Sequence, residues 1–344
     1  MRHDGTVVEG RRATREAVIS ATSPLLDVRD LAVSFPSPDG VVEAVRGVSF
    51  AVAPGRTLAI VGESGSGKSV SMQTIIGLTR GARVSGQALF ESRDLLAMQP
   101  TELRPIRGAQ IAMVFQNPLS SLHPFYRIGW QIAEAIRAHD HVTARQARQR
   151  AIELLNLVGI PSPDRRVDDY PHQFSGGMLQ RAMIAMAVSL NPRLLIADEP
   201  TTALDVTVQA QIIDLLRRLQ REFKMAIIMI THDLGVVAGI ADEMMVMYAG
   251  QAMEVASRRS LYYGAAHPYT RGLLRSLPRP DAGERLLPIR GQPPSLISPP
   301  AGCPFHVRCD EVLPRCAAER PPLAPTADTG HRSACWLNAT DAPS

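Results

Sequence analysis

The sequence predicts an α/β fold organised around a mostly parallel sheet, on three observations. The chain has 344 residues, 45% of them apolar, which is enough to bury a sizeable core. Helical periodicity fills long intervals such as 143–158 and 206–223. Short apolar runs typical of buried strands lie between the helical intervals, at 57–61, 88–91, 110–115, 194–197, 226–230 and 244–248. Buried strands that alternate with helices are typical of parallel sheets covered by helices.

The remaining segments can be assigned in chain order. Residues 1–23 are basic without a continuous apolar stretch, so we expect a solvated leader rather than a secretory signal. Residues 25–35 and 41–52 alternate apolar and polar side chains around a Pro/Gly turn, which predicts two antiparallel strands. From Ile128 to Leu190 the pattern is helical without a strand, which predicts a helical subdomain at about 117–190.

Prolines become frequent after Ala266, which indicates a domain boundary. We therefore expect a main domain over residues 24–265 and a small proline- and cysteine-rich C-terminal extension over residues 266–344.

Composition excludes several classes of protein. The net charge of +4 is too small and dispersed to indicate nucleic-acid binding. No apolar run approaches the roughly 20 residues that span a bilayer. Among the 37 basic residues only Lys68 and Lys224 are lysine, and a lysine kept in so arginine-rich a chain indicates a position that needs a compact ammonium.

A glycine-rich loop directly follows the strand at 57–61 and opens an apolar helix. This is the context in which a phosphate-binding loop forms, because glycines let backbone N–H groups converge at a helix N-terminus. Lys68 can reach the outer phosphates and the Ser69 hydroxyl can ligate Mg²⁺. The predicted nucleotide contacts are Gly62, Glu63, Ser64, Gly65, Ser66, Gly67, Lys68, Ser69 and Val70.

The apolar strand at 194–197 ends in two acidic residues, Asp198 and Glu199. Acidic groups after a buried strand are costly unless they lie at the open end of the sheet beside a cation. Asp198 is predicted to hold Mg²⁺ and Glu199 to orient or deprotonate the attacking water. Capping of the next helix is the alternative.

A second helix start carries a serine and two glycines. Ser175, Gly176 and Gly177 precede an apolar helix that also contains Gln180. Such a start can bind an anion, although an ordinary helix cap would look the same.

Together the three motifs resemble the nucleotide-binding subunits of ATP-binding cassette (ABC) transporters. The resemblance implies a P-loop NTPase fold with a mixed sheet, an antiparallel β subdomain and a helical subdomain. It implies that Ser175, Gly176, Gly177 and Gln180 act on ATP held by a partner subunit. It further implies roles for Gln116 as a magnesium contact, Asp205 as a dimer contact, His232 as a catalytic residue beside Glu199, and Phe35 as an adenine-stacking side chain. Taken singly, Gln116, His232 and Phe35 each have structural alternatives.

Three further stretches resemble the oligopeptide and dipeptide importer branch: 114–124, 267–274 and 302–309. This implies an ATPase subunit at the cytoplasmic face of the membrane. Its implied partners are a second ATPase subunit, two transmembrane permeases and an extracytoplasmic peptide-binding protein, with no nucleic acid. The resemblance favours a related but different chain as the second ATPase subunit, and a second copy of this chain is the alternative. Import of nickel or another small solute, a non-transport ABC ATPase and a regulatory nucleotide sensor are the alternatives.

The four cysteines follow the spacing C-x5-C-x6-C-x18-C, at Cys303, Cys309, Cys316 and Cys335. In a reducing compartment this indicates an iron–sulfur cluster or Zn²⁺, with no metal as a third alternative. The importer resemblance favours a [4Fe–4S] cluster.

Overall fold

The computed structural model describes residues 23–277 and 288–338, so the predicted leader, apart from its last residue, lies outside the described residues. The strands of this part of the chain, in order, are β1 (Leu26–Ser37), β2 (Gly40–Val52), β3 (Thr57–Val61), β4 (Arg83–Phe90), β5 (Arg93–Asp94), β6 (Ile111–Val114), β7 (Leu194–Asp198), β8 (Ala226–Thr231), β9 (Glu243–Tyr248), β10 (Gln251–Ser257), β11 (Ala324–Pro325) and β12 (Arg332–Ser333).

The α-helices of the same residues, in order, are α1 (Lys68–Ile75), α2 (Pro100–Leu103), α3 (Pro118–Ser121), α4 (Ile128–Arg137), α5 (Ala144–Leu157), α6 (Pro163–Arg166), α7 (Gly176–Ala187), α8 (Val206–Phe223), α9 (Leu234–Val237), α10 (Arg258–Gly264) and α11 (Pro268–Arg275). Short 3₁₀ turns occur at Pro171–Gln173, His306–Arg308 and Pro314–Ala317.

A mixed eight-stranded sheet lies at the centre, in the order β11-β12-β10-β9-β3-β8-β7-β6. Its strands β9, β3, β8, β7 and β6 are parallel, and β10, β12 and β11 extend it by antiparallel pairing. Strands β3, β7 and β8 are buried along their whole length, as expected for strands covered on both faces. The predicted α/β fold with a mixed sheet is confirmed.

A second, antiparallel sheet has the order β2-β1-β4-β5. The predicted strand pair is confirmed, with Leu26 opposite Val52 and Ser37 opposite Gly40. The run at 88–91 is a strand, as predicted, but it belongs to β4 and pairs with β1 rather than with the parallel strands. Membership of a sheet depends on the partner that packs alongside, which an isolated apolar run does not specify.

The helices α3 to α7 fill the interval between β6 and β7, and the described residues there contain no strand. Helix α5 begins with a capping box. The Thr143 hydroxyl accepts from the Gln146 N–H, and the Gln146 side chain accepts from the Thr143 N–H.

Two apolar cores lie on opposite faces of the central sheet, and β3 contributes to both. Leu58 and Ile60 face the core shared with the antiparallel sheet, whereas Ala59 and Val61 face the core shared with the helices. This alternation follows from the two-residue period of side chains along a strand, so β3 packs against both cores.

Parallel strands β3, β6, β7 and β8 end at one edge of the sheet, since Val61 pairs with Thr231, Asp198 with Ile230, and Val114 with Ala197. The loops that follow these strands therefore meet, as the crevice at the carboxyl edge of such sheets requires. Within the described residues, no helix combines the length and apolar character that crossing a bilayer requires.

Candidate functional site

The loop of residues 62–69, called the phosphate loop below, depends on glycine at its two ends. Gly62 and Gly67 have φ values of +154° and +96°, a region that side chains rarely adopt. A Cβ at Gly62 would lie 2.1 Å from the Met247 carbonyl oxygen, and one at Gly67 would lie 2.3 Å from that of Ala44. Helix α1 starts after Gly67 without a side-chain cap, so its first N–H groups stay available to an anion.

The Lys68 ammonium lies inside this loop. It is buried and donates to the carbonyl oxygens of Gly62 and Glu63, both at 2.8 Å. Burial lowers the pKa of Lys68, and the carboxylates of Glu199, Asp198 and Glu63 oppose that shift. A cation held in this way is ready to bind phosphate oxygens, since they would replace carbonyls as its partners.

Ser69 and Asp198 come together from α1 and β7. The Ser69 hydroxyl donates to the Asp198 carboxylate at 2.7 Å. Burial raises the pKa of Asp198, the hydrogen bond from Ser69 opposes this, and neighbouring Glu199 raises it further. A buried carboxylate with incomplete charge compensation, beside a hydroxyl oxygen, has the hard oxygen donors that Mg²⁺ prefers. These two residues fit a magnesium ion.

Glu199 has the most hydrogen-bond partners of the acidic residues at this edge. Its Oε2 accepts from Gln116 Nε2 and from the Thr202 hydroxyl, each at 2.8 Å. His232 Nδ1 lies 3.2 Å from its Oε1. Burial acts to raise the pKa of Glu199, but the hydrogen bonds from Thr202 and His232 outweigh it and hold that pKa below its usual value. The side chain is therefore an ionised, oriented carboxylate.

The backbone of Glu199 is left-handed, with a φ of +45°. Non-glycine residues in this region cost about 1 kcal/mol or more, and they persist where surrounding contacts fix them. Sequence reasoning identified Gln116 and His232 but missed Thr202. The available signal was a hydroxyl three residues after an acidic residue that ends a buried strand.

The serine–glycine tip, defined as Ser175, Gly176 and Gly177, lies at the start of α7. Ser175 caps the helix and accepts from the Met178 N–H at 3.4 Å, a long contact. Ser175 and Gly176 are exposed, and Gln180 is buried one turn later. Among the described residues, no hydrogen bond or ion pair joins this tip to the phosphate loop.

The two other predicted contact residues have local structural partners. Asp205 is exposed and caps α8 by accepting from the Val208 N–H at 2.9 Å. A Cβ at Gly177 would lie 3.0 Å from Val208 Cγ1, so the start of α8 packs beside the serine–glycine tip. Phe35 lies opposite Val42 in the antiparallel sheet and is partly buried against its core.

The four cysteines lie in the C-terminal residues. Cys303 and Cys316 are buried, whereas Cys309 and Cys335 are partly exposed. Burial, together with the nearby thiols of the other three, raises the pKa of Cys303 to about 11. The four thiols are thus close enough to affect one another. In residues 23–277 and 288–338, however, no group of three or more histidine, cysteine or acidic side chains is arranged to hold a metal ion.

An apolar groove of about 530 Å³ opens between strand β6 and the helices that follow it. It lies beside the residue that precedes Gln116. Its lining includes Met113, Phe115, Ser121, His139, Met183 and Met186.

Comparison with known proteins identifies the family. Residues 45–202 match the family described as ABC transporter, and residues 253–316 match the C-terminal region of oligopeptide/dipeptide transporters. The chain is 50% identical to the dipeptide transport ATP-binding protein DppD of Bacillus subtilis, over 91% of this chain and 94% of that protein. It is also 50% identical to the oligopeptide transport ATP-binding protein OppD of Escherichia coli, over 87% of this chain and 89% of that one.

The fold is similar to the solved ATP-binding cassette MJ0796 in its dimeric, post-hydrolysis state bound to ADP and Pi. The TM-score is 0.62 at 26% identity, and the similarity covers 68% of this chain and 99% of that cassette.

Proposed function

The chain belongs to the family of dipeptide and oligopeptide transport ATP-binding proteins of the ABC transporters, and from this we propose that it hydrolyses ATP to power uptake of di- and oligopeptides through separate transmembrane subunits. The observation that carries the proposal is the position of Glu199. Its carboxylate is fixed by Gln116, Thr202 and His232 at the sheet edge that also presents Lys68. A transport ATPase needs this combination of a phosphate cradle and an oriented, ionised carboxylate.

In this mechanism the residues mainly position groups and stabilise charge. The phosphate loop and Lys68 bind the β- and γ-phosphates. Glu199 accepts a hydrogen bond from the attacking water and holds it in line with the γ-phosphorus, and the bond to ADP breaks as the water oxygen bonds to phosphorus. His232 keeps the Glu199 carboxylate in place. Magnesium, held by Ser69 and Asp198 with Gln116 nearby, would neutralise charge on the phosphates.

A second ATPase subunit completes the site in this proposal. The serine–glycine tip is an exposed helix N-terminus, and within residues 23–277 and 288–338 no charged side chain of this chain bonds to it. A triphosphate on another subunit would supply an anion there. The exposed Asp205, beside this tip, would contact that subunit. The partner is proposed to be a related but different chain.

The groove beside Phe115 and Gln116 is proposed as the contact with one of the two transmembrane permeases. It lies where strand β6 meets the helices, so a permease segment seated there would respond to movement of Gln116. The subunit would then be a peripheral protein on the cytoplasmic face of the membrane, and an extracytoplasmic protein would deliver the peptide.

The cysteine quartet is proposed to hold a [4Fe–4S] cluster, with Zn²⁺ as the alternative. Burial, and after it the neighbouring cysteine thiols, raise the pKa values of Cys303, Cys309 and Cys335, which supports proximity of the cysteines. Anaerobic purification followed by iron, sulfide and zinc analysis tests this. About four irons and four sulfides per chain would support the cluster, and stoichiometric zinc without iron, or no metal, would exclude it.

Substitution Glu199→Gln tests the ATPase mechanism. We expect turnover to fall by about a hundredfold or more while the Kd for Mg·ATP stays within about twofold, because the amide keeps the shape but loses the charge that orients water. Glu222→Gln, an exposed position on α8, is the matched control and should behave as the parent. Turnover of Glu199→Gln at the parent rate would contradict the assigned role.

The transport proposal has a separate test. The chain should be expressed in cells together with its neighbouring genes, and purification from their membranes should yield it in complex with multi-span proteins. Vesicles that contain this complex should import labelled peptide only when ATP is supplied. Import of nickel or another solute instead of peptide would refute the substrate class and leave the ATPase mechanism standing.

A further inference from the structure

Every polar group of Glu63, the second residue of the phosphate loop, is bound. Its carbonyl oxygen accepts from Lys68 at 2.8 Å. Its N–H donates to the Tyr269 hydroxyl at 3.0 Å. Its carboxylate accepts two hydrogen bonds from Arg308, at 2.8 and 3.1 Å. Two of these three partners belong to the residues beyond 266, so the C-terminal part of the chain holds the loop that binds phosphate.

Arg308 is almost completely enclosed, with 6% of its side chain exposed. It donates to the Tyr248 hydroxyl at 3.1 Å and to the Arg290 carbonyl at 2.8 Å. The guanidinium lies 5.6 Å from the Tyr248 ring centre and 5.9 Å from that of Phe305. A bidentate guanidinium–carboxylate pair in such a setting is strong and geometrically specific, unlike an exposed pair.

The cysteine segment, residues 303–316, determines where Arg308 lies. Arg308 directly precedes Cys309 in a 3₁₀ turn, and the Cys303 N–H donates to the Cys316 carbonyl at 2.8 Å, which closes the segment. Phe305 packs against the rings of Tyr248 and Tyr269. A change in the fold of this segment would therefore move Arg308.

The charge on Glu63 matters because of its position. The carboxylate lies close enough to Lys68 to stabilise the ammonium. It would therefore also lie close to the phosphates that Lys68 binds, where an unpaired negative charge would repel them. Arg308 neutralises that charge.

We propose that Arg308 is a positioning residue for the phosphate loop, which holds and neutralises Glu63 and so makes the affinity for Mg·ATP depend on the fold of the cysteine segment. The inference rests on the proposed function only in that the loop binds ATP. It extends that function by coupling the nucleotide site to the cysteines, which touch neither Lys68 nor Glu199.

The first test measures the Kd of a fluorescent ATP analogue with Mg²⁺ on the full-length chain. Arg308→Gln should weaken binding by about tenfold, since a charge-assisted pair is lost and Glu63 keeps its charge. Arg308→Lys should recover part of this loss. Arg315→Gln is the matched control, because Arg315 lies in the same segment but stacks on Trp336 at 3.4 Å, and its Kd should stay within about twofold.

A double variant separates electrostatics from a general loss of structure. Glu63→Gln/Arg308→Gln removes both charges, so it should bind Mg·ATP more tightly than Arg308→Gln alone. If Arg308 had a merely structural role, the double variant would bind Mg·ATP as weakly as the single variant or more weakly, and that result would overturn the proposal. If Arg308→Gln yields no folded chain, Arg308→Lys carries the test, because lysine keeps the charge but cannot make both hydrogen bonds to Glu63, and a parent-like Kd would overturn the positioning role.

The dependence on the cysteine segment is tested with Cys309→Ser. This substitution should weaken Mg·ATP binding in the parent and have less effect in the Glu63→Gln/Arg308→Gln background, because the link has already been cut. An unchanged Kd in the parent background would overturn the coupling. Absence of Mg·ATP binding by the parent itself would instead refute the proposed function, so the two failures are distinguishable.

Discussion

Two of the helix N-termini in the part of the chain that the structure describes, those of α1 and α7, are suited to anions, and they differ in what surrounds them. The start of α1 has no side-chain cap, but its loop holds Lys68, is bonded through Glu63 to Tyr269 and Arg308, and faces Asp198. The serine–glycine tip of α7 has a serine cap and is exposed. Both helix starts point partial positive charge outward.

This difference is consistent with different proposed roles for the phosphate loop and the serine–glycine tip. A helix tip alone attracts an anion by about 1 kcal/mol, so tight binding needs further charges and fixed donors. The phosphate loop has them within its own chain, which supports the proposal that it holds ATP by itself. The serine–glycine tip lacks them and is expected to act only on a nucleotide that another subunit already holds.

The largest expected effect comes from Lys68→Ala. Losing the enclosed ammonium should weaken Mg·ATP binding by about a hundredfold or more, since two charge-assisted contacts to phosphate are lost. Lys224→Ala is the matched control, because Lys224 is the only other lysine in the sequence and is the exposed residue that caps the C-terminal end of α8. Equilibrium binding of Mg·ATP to each isolated variant measures both affinities. Parent-like binding by Lys68→Ala would mean that the two tips do not differ as described.

The next effect concerns the other tip. Gly176→Asp places a carboxylate where a partner's γ-phosphate is expected, so turnover of the assembled transporter should fall by about a hundredfold while the isolated chain keeps its ATP affinity. Gly176→Ala is the control, because its Cβ would lie 3.8 Å from Leu204 and fits without strain. Weaker ATP binding by the isolated Gly176→Asp chain would show that the tip serves its own nucleotide.

The sequence was sufficient to predict the fold and most of the nucleotide edge, because the determinants there are local. The glycines at 62 and 67 and the buried strand that ends in Asp198 each have a physical meaning that neighbouring residues decide. Thr202 was missed because a hydroxyl three residues after Glu199 bonds back to it only when Glu199 is left-handed, and the residue type at position 199 does not predict that conformation.

The contact between Glu63 and Arg308 was beyond sequence reasoning for a different reason. These residues are 245 positions apart, and their pairing depends on how the cysteine segment packs on Tyr248 and Tyr269. Long-range packing is not encoded in spacing. The same limit applies to the cysteines, since their spacing favours a metal but does not fix the directions of the thiols.

The third effect concerns the pH dependence of stability near the residues that hold the phosphate loop. His267 is fully buried, and its Nδ1 accepts from the Tyr269 N–H at 3.0 Å, next to the hydroxyl-bearing ring that holds Glu63. Burial, with a smaller contribution from Arg271, lowers the pKa of His267 to about 3. The unfolded chain, with an ordinary pKa near 6.5, therefore binds more protons between those values.

Stability from this group is complete above pH 6.5 and is lost as the pH falls toward 3, by about 2 kcal/mol at pH 5. His267→Asn keeps an N-cap acceptor but does not titrate, so its urea-unfolding free energy should fall less between pH 7 and pH 5 than that of the parent. Equal pH slopes in the two proteins would exclude His267 as the cause.

The smallest effect separates two roles of Asp205, beside the serine–glycine tip. As the cap of α8 it accepts from the Val208 N–H, so Asp205→Ala should lower the free energy of unfolding by about 1 kcal/mol. The free energy of unfolding of Asp205→Asn should stay within about 0.5 kcal/mol of the parent, because the amide oxygen still caps the helix.

Turnover of the assembled transporter then tests the second role of Asp205, contact with the other subunit. If Asp205→Asn is as stable as the parent yet turns over more slowly, the carboxylate contacts the other subunit. If Asp205→Asn matches the parent in both measurements, Asp205 is only a helix cap, and the serine–glycine tip must recognise its partner without it.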